Sequence, residues 1–115
     1  MLSILIPVKN FDCCALVTEL HNQGEALDCP YEILIGEDGT ESGFLKLNEV
    51  ADTFSNCRRI VKKENIGRAG IRNILAAEAK FPYLIFIDCD AVVEKKDFLT
   101  TYATALKGHQ VVCGG

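Results

Sequence analysis

The chain has no basic tract. Twelve lysines and arginines stand against sixteen aspartates and glutamates, a net charge of −4 over 115 residues. Without a cluster of cations there is no broad electropositive face for a nucleic acid, although a local phosphate site needs only one or two. No C-x-x-C pair occurs among the six cysteines (Cys13, Cys14, Cys29, Cys57, Cys89 and Cys113), and only His21 and His109 offer imidazoles. Ligand spacing therefore disfavours a zinc site. No apolar run is long enough to span a membrane, so no transmembrane segment is expected. The start, Met1-Leu2-Ser3-Ile4-Leu5-Ile6-Pro7, lacks a basic leader and is too short for a signal core. The first apolar segment is followed by Pro7-Val8-Lys9-Asn10-Phe11 and not by a glycine-rich turn, which disfavours NAD or FAD. A P-loop is missing too, since Gly67-Arg68-Ala69-Gly70 supplies only part of the glycine pattern. Linkers, repeats and low-complexity tracts are absent.

Hydrophobic residues make up 49% of the chain and charged residues 24%, an ordinary globular composition for one domain with a real core. Most cysteines lie in or beside apolar runs, where a free thiol packs as a small hydrophobe. Reduced thiols point to the cytosol.

Strand and helix patterns alternate along the chain. Residues 2–8 form an apolar strand. Asp12 is placed to cap a helix carrying Cys13, Leu16, Val17 and Leu20 at helical spacing and stopping near Gly24. Residues 31–36 form a second strand, and Glu37-Asp38-Gly39-Thr40 is turn chemistry. Phe44, Leu45, Leu47, Val50 and Ala51 support a second helix. Residues 57–63 form a shorter, charged strand suited to a sheet edge. After Asn65-Ile66-Gly67, a third helix over 68–80 turns Ile71, Ile74, Leu75 and Ala79 inward. Residues 84–87 form a fourth strand, 96–107 a fourth helix and 110–113 a last strand. This alternation predicts right-handed crossovers and a Rossmann-like three-layer α/β/α sandwich with a mainly parallel sheet. The chain stops on Gly114-Gly115 directly after a strand, and a fragment is expected on that ground.

Leu84-Ile85-Phe86-Ile87-Asp88-Cys89-Asp90 is the segment richest in information. A continuous apolar run is the pattern of a buried parallel strand. Two carboxylates at its carboxyl end sit where open α/β sheets bind ligands. An extended chain would point Asp88 and Asp90 to one side and Cys89 to the other. Paired carboxylates suit a hard divalent cation, which commonly accompanies a phosphate. The alternative is a strand followed by a solvated acidic turn.

If the central strand order is second, first, fourth, three loops meet at the switch point: Pro7-Val8-Lys9-Asn10, Glu37-Asp38-Gly39-Thr40 and Asp88-Cys89-Asp90. Asp38 would accept hydrogen bonds from a base edge, or is simply a turn aspartate before Gly39. Arg68 and Arg72 share a helix face near its amino end. They make either an anion site with the helix terminus or a solvated basic face. Lys9 and Asn10 are weak signals, since a polar loop needs no function to contain them.

These residues, taken in order, resemble the nucleotide-sugar-dependent glycosyltransferases of the GT-A fold, specifically inverting family 2. The matching pieces are Ile4-Leu5-Ile6-Pro7-Val8-Lys9-Asn10, Ile33-Leu34-Ile35-Gly36-Glu37-Asp38-Gly39-Thr40, Asn65-Ile66-Gly67 with Ile71-Arg72-Asn73, and Phe86-Ile87-Asp88-Cys89-Asp90. The resemblance covers residues 2–114. It implies that residues 1–115 form the donor-binding part of a larger, truncated transferase domain. Pro7, Val8, Lys9 and Asn10 would line the nucleoside pocket with Glu37 and Asp38, Asp38 holding the base, usually uracil. Arg72, with Arg68 nearby, would approach the diphosphate. Asp88, Cys89 and Asp90 match the D-x-D element: Asp88 would lie near the ribose, and Asp88 and Asp90 would form the Mn²⁺ or Mg²⁺ site. The implied partners are a nucleotide-diphosphate sugar, in this family usually a UDP-sugar, and a glycan or lipid-linked acceptor. A polysaccharide or other glycan would be built on the cytoplasmic side, at the inner face of a membrane.

Lys9 stands where the family commonly has an aromatic, Glu37 replaces the first aspartate of an acidic pair, and Ile71 replaces a small residue. All three bear on donor identity. The family's acceptor site and catalytic base lie beyond this span, so no catalytic residue is assigned. An uncovered fourth-strand edge predicts homo-oligomerisation there, unless the last strand closes the gap. Three alternatives remain. Asp88 and Asp90 also resemble the nucleophile and acid/base of Mg²⁺-dependent haloacid-dehalogenase-like phosphatases, which place that motif after their first strand. A sugar-phosphate nucleotidyltransferase would need a glycine-rich loop that is absent. A non-catalytic nucleotide-binding fragment is the third.

Overall fold

The computed structural model describes residues 2–27, 29–90 and 98–99, together with the backbone of 111–113. Five strands form one sheet: β1 (Leu2–Val8), β2 (Tyr31–Asp38), β3 (Cys57–Lys62), β4 (Tyr83–Phe86) and β5 (Val111–Cys113). Their spatial order is β3-β2-β1-β4-β5, and every neighbouring pair is parallel. The three central strands stand in the second, first, fourth order on which the convergence of the three loops was conditional. Leu2 lies opposite both Tyr31 and Tyr83, so β1 is covered on both edges.

Helix α1 (Cys14–Glu25) crosses one face and α3 (Arg68–Glu78) the other, with the short α2 (Ser42–Leu47) and a 3₁₀ segment (Asn48–Thr53) between β2 and β3. Alternation along β1 explains the layers. Ile4, Ile6 and Val8 pack with Leu16, Val17 and Leu20 of α1, while Leu5 packs with Leu34 and Leu75 on the α3 side. All eight residues of β2 are buried, as expected of a central strand with helices on both faces. Each fully buried Ile or Leu contributes roughly 1.5–3 kcal/mol. At Gly36 a Cβ would come within 2.8 Å of Ile71 Cγ1 and 3.1 Å of Leu75 Cδ1, so a glycine there lets α3 lie close on β2.

Several elements depart from expectation. The apolar pattern over 44–51 predicts one helix buried through Leu47 and Val50. Instead Leu47 and Val50 are exposed, and Asn48 and Ala51 turn inward. Asn48 takes the interior place because buried polar partners await it. The third helix ends at Glu78, ahead of Pro82, and Ala79 is extended; there the Lys80 N–H donates to buried Glu32 at 2.6 Å. Of the predicted fourth helix only Phe98 and Leu99 fall within the described residues; both are helical, and Leu99 is buried on the α1 face. The last strand pairs directly with β4, Leu84 opposite Val111, and so closes the edge on which self-association was expected. No helix among the described residues is long and apolar enough to cross a membrane.

Candidate functional site

The chain runs left from β1 through β2 to β3 and then passes back over β1 to β4, so the switch point lies between β1 and β4. A cleft of about 420 Å³ opens at the carboxyl ends of these strands, lined by Pro7, Val8, Lys9, Phe11, Asp38, Asn65, Arg68, Ile71, Asp88, Cys89 and Asp90. Of the expected site residues, Pro7, Val8, Lys9, Asp38, Arg68, Asp88, Cys89 and Asp90 are thus brought together.

Three others sit elsewhere. Glu37 is wholly buried. Its carboxylate accepts from Arg59 Nη1 at 2.8 Å and from Asn48 Nδ2 at 3.0 Å. Strand alternation sends it to the face opposite its neighbour Asp38. Asn10 lines no part of the cleft. Its φ of 50° is left-handed, a conformation asparagine tolerates, and its Oδ1 accepts the Glu41 N–H at 2.8 Å. Arg72 lies one turn beyond Arg68, its guanidinium 4.3 Å from the centre of the Phe86 ring, a cation–π contact. It borders a shallower hollow with Arg68, Ala69 and Asn73. The arginine on the cleft is therefore Arg68.

Asp38 is 4% exposed and latches two turns together. Oδ1 accepts the Ile66 N–H at 2.6 Å and Oδ2 the Gly67 N–H at 3.0 Å. The adjoining turn demands glycine: Gly39 has φ +68°, and a Cβ there would sit 2.9 Å from the Asn65 nitrogen. Two of the roughly four lone-pair positions of the Asp38 carboxylate remain for a ligand donor. The latch also fixes the start of α3, which carries Arg68 over the cleft.

The acidic wall differs from an extended strand. β4 stops at Phe86, the Ile87 N–H still donates to the Leu5 carbonyl at 3.0 Å, and Cys89 and Asp90 form a turn. The turn brings Asp88, Cys89 and Asp90 all onto the cleft, where strict alternation would have turned Cys89 away. Asp88 and Asp90 are exposed, and Asp88 Oδ1 lies 3.3 Å from Arg68 Nη2. The Cys89 thiol is pushed up, first by burial and then by the Asp90 charge.

The family model of glycosyl transferase family 2 matches residues 3–115. The chain belongs to glycosyl transferase family 2. No curated protein matches it. Among solved structures, S. aureus TarS (residues 1–349) superposes with a TM-score of 0.71 at 23% identity, over 94% of this chain and 32% of that one; it is also known in complex with UDP-GlcNAc. Mannosyltransferase PcManGT from Pyrobaculum calidifontis, in complex with GDP-Man and Mn²⁺, superposes with a TM-score of 0.73 at 19% identity, over 92% of this chain and 32% of that one. The fold is shared, and this chain spans about a third of either structure.

Within this family 2 chain the donor set suits a hard divalent ion. Asp88 and Asp90 offer two accessible carboxylates beside open cleft volume, the protein share that Mg²⁺ or Mn²⁺ takes when substrate phosphates complete the shell. Among the described residues no group of three or more His, Cys, Asp or Glu is arranged to hold a metal. Two residues of the region were not singled out from the sequence. Phe11 adjoins the first loop, but an aromatic there carries no signal of exposure. Asn48 was hidden inside a segment whose apolar residues were expected to face inward.

Proposed function

We propose that this chain is the donor-binding part of an inverting glycosyltransferase, which moves a sugar from a nucleoside-diphosphate sugar to an acceptor hydroxyl. The observation that carries this is the convergence of Asp38, Arg68, Asp88 and Asp90 on one cleft at the switch point. Asp38, rigid and buried, would receive the base. Arg68, near the amino end of α3, would face the diphosphate, where guanidinium and helix terminus act together. Asp88 and Asp90 would hold Mn²⁺ or Mg²⁺; such an ion, when bound, supplies positive charge beside the diphosphate leaving group. Pro7, Val8 and Lys9 would border the nucleoside. The complexes of TarS with UDP-GlcNAc and of PcManGT with GDP-Man and Mn²⁺ support a nucleotide-sugar partner and a metal. A cytoplasmic setting and a glycan or lipid-linked acceptor belong to the same proposal.

Calorimetry with UDP and with GDP, each with and without Mn²⁺, tests it. Binding of one nucleotide that strengthens at least tenfold with Mn²⁺, and loses that gain in Asp90→Ala, is the expected result. Absence of binding by both nucleotides, with or without Mn²⁺, would overturn it and leave a non-binding domain.

A further inference from the structure

Behind the cleft lies a buried polar network that the proposed function leaves unused. Glu37 and Asn48 are both 0% exposed. Asn48 Nδ2 donates to Glu37 Oε1 at 3.0 Å and to the Phe11 carbonyl at 2.8 Å, while its Oδ1 accepts the Cys13 N–H at 3.0 Å. Arg59 gives Nη1 to Glu37 at 2.8 Å and forks on Asp52 through Nε at 3.1 Å and Nη2 at 2.9 Å. On the visible side of the network, Phe11 lines the cleft and is 39% exposed.

We propose that Phe11 is the base-facing wall of the cleft, and that Asn48, ordered by the Glu37–Arg59 pair, is the positioning residue that holds it there. The inference rests on the nucleotide-binding function proposed above. The chain is pinned at three successive residues. Asn10 accepts the Glu41 N–H at 2.8 Å, the Phe11 carbonyl is held by Asn48, and Asp12 accepts the Cys14 N–H at 3.0 Å. Phe11, so pinned, lines the open cleft and is exposed, and among the described residues no aromatic ring stacks on it. A planar base is the chemistry that a fixed, exposed aromatic beside a buried acceptor such as Asp38 would take, by stacking on one and hydrogen bonding to the other. Glu37, the Phe11 carbonyl and the Cys13 N–H together set the orientation of the Asn48 amide. Flipped, its oxygen would face both the Glu37 carboxylate and the Phe11 carbonyl, two acceptors with no proton between them. Arg59 in turn holds the Glu37 carboxylate in place through Nη1 at 2.8 Å.

The test compares UDP with inorganic pyrophosphate, each in Mn²⁺, by calorimetry on the full chain. Phe11→Ala is expected to weaken UDP about tenfold or more and to leave pyrophosphate unchanged, while Phe11→Tyr restores UDP. Asn48→Ala, its fold checked by circular dichroism, is expected to repeat that selectivity. If Asn48→Ala does not fold, Glu37→Gln, which replaces the carboxylate shared by Asn48 and Arg59, takes its place with the same expectation. Wild-type UDP affinity in Phe11→Ala would overturn the role of the ring. Equal losses of UDP and pyrophosphate in the Asn48 or Glu37 variant would overturn the positioning role and leave a purely structural one. A wild-type chain that binds pyrophosphate but not UDP would overturn the inference while leaving the anion site. One that binds neither nucleotide nor pyrophosphate would remove the functional proposal and this inference together.

Discussion

Asp38 and Asp90 line one cleft but differ in what they hold. Asp38 accepts two backbone N–H groups from a turn far along the chain, whereas Asp90 is exposed. Hydrogen bonds to a charged acceptor contribute about 1.5–3 kcal/mol each. Asp38→Ala should therefore cost on the order of 3–6 kcal/mol in denaturant unfolding as well as nucleotide affinity. Asp90→Ala should change stability by less than about 0.5 kcal/mol while removing the Mn²⁺-dependent part of binding. Equal stabilities for the two variants would refute the latch. The thiols supply a second residue-scale prediction. Burial, helped by the Glu37 charge, pushes Cys13 from 9.0 up to about 12, and burial with Asp52 does the same to Cys57. The folded chain holds these protons where the unfolded chain releases them. Their contribution to stability is thus complete below about pH 9 and lost as pH rises toward 12. Urea midpoints should fall across that window, and Cys13→Ala should flatten the fall.

At the scale of elements, the site depends on how α3 seats on the sheet. Gly36 brings α3 against β2 through Ile71 and Leu75, and the first residue of α3 is Arg68. Gly36→Ala must move the Ile71 side chain or the helix itself, an overpacking that costs roughly 1–3 kcal/mol. The expected outcome is a lower melting temperature together with weaker UDP binding, since displacement of α3 carries Arg68 with it. Unchanged binding in a destabilised Gly36→Ala chain would show that the helix end tolerates the shift. The edge strand β3 was legible in advance, because Arg58, Arg59, Lys62 and Lys63 are poor candidates for a sheet interior. Arg59 is the exception. Its guanidinium is largely covered between Glu37 and Asp52, and charge alone gave no sign that one of four cations would be a buried anchor. The 3₁₀ segment departs from its apolar pattern for the same reason, since polar Asn48 is buried beside Ala51.

For the whole molecule, the two ends of the sheet are finished differently. At the amino end, Glu32 accepts from Ser3 Oγ at 2.7 Å and from the Lys80 N–H at 2.6 Å, and Ser3 Oγ accepts the Phe81 N–H at 3.3 Å. Those bonds tie the return chain to β1 and β2. At the carboxyl end the loops part around the cleft. With β5 on β4, any homo-oligomer formed through this side would have to use the outer edge of β5. Sedimentation velocity over a tenfold concentration range checks that proposal: a rising sedimentation coefficient supports it, and a constant monomer value refutes it.

The order of strands and helices, and the placing of three polar loops at one sheet edge, followed from the sequence alone. Apolar runs bounded by turn residues specify elements locally, and consecutive parallel strands must put all their carboxyl ends on one side. Tertiary structure alone decided that Asp38 faces the cleft while Glu37 faces the interior, that Arg68 and not Arg72 reaches the cleft, and that Asn48 is buried where Leu47 is not. Each of those outcomes depends on a partner distant in the chain: the Gly67 amide, Arg59, the Phe86 ring, the Phe11 carbonyl. The pattern of a segment records how often its residues turn inward, and carries no trace of the hydrogen bonds that wait for them there.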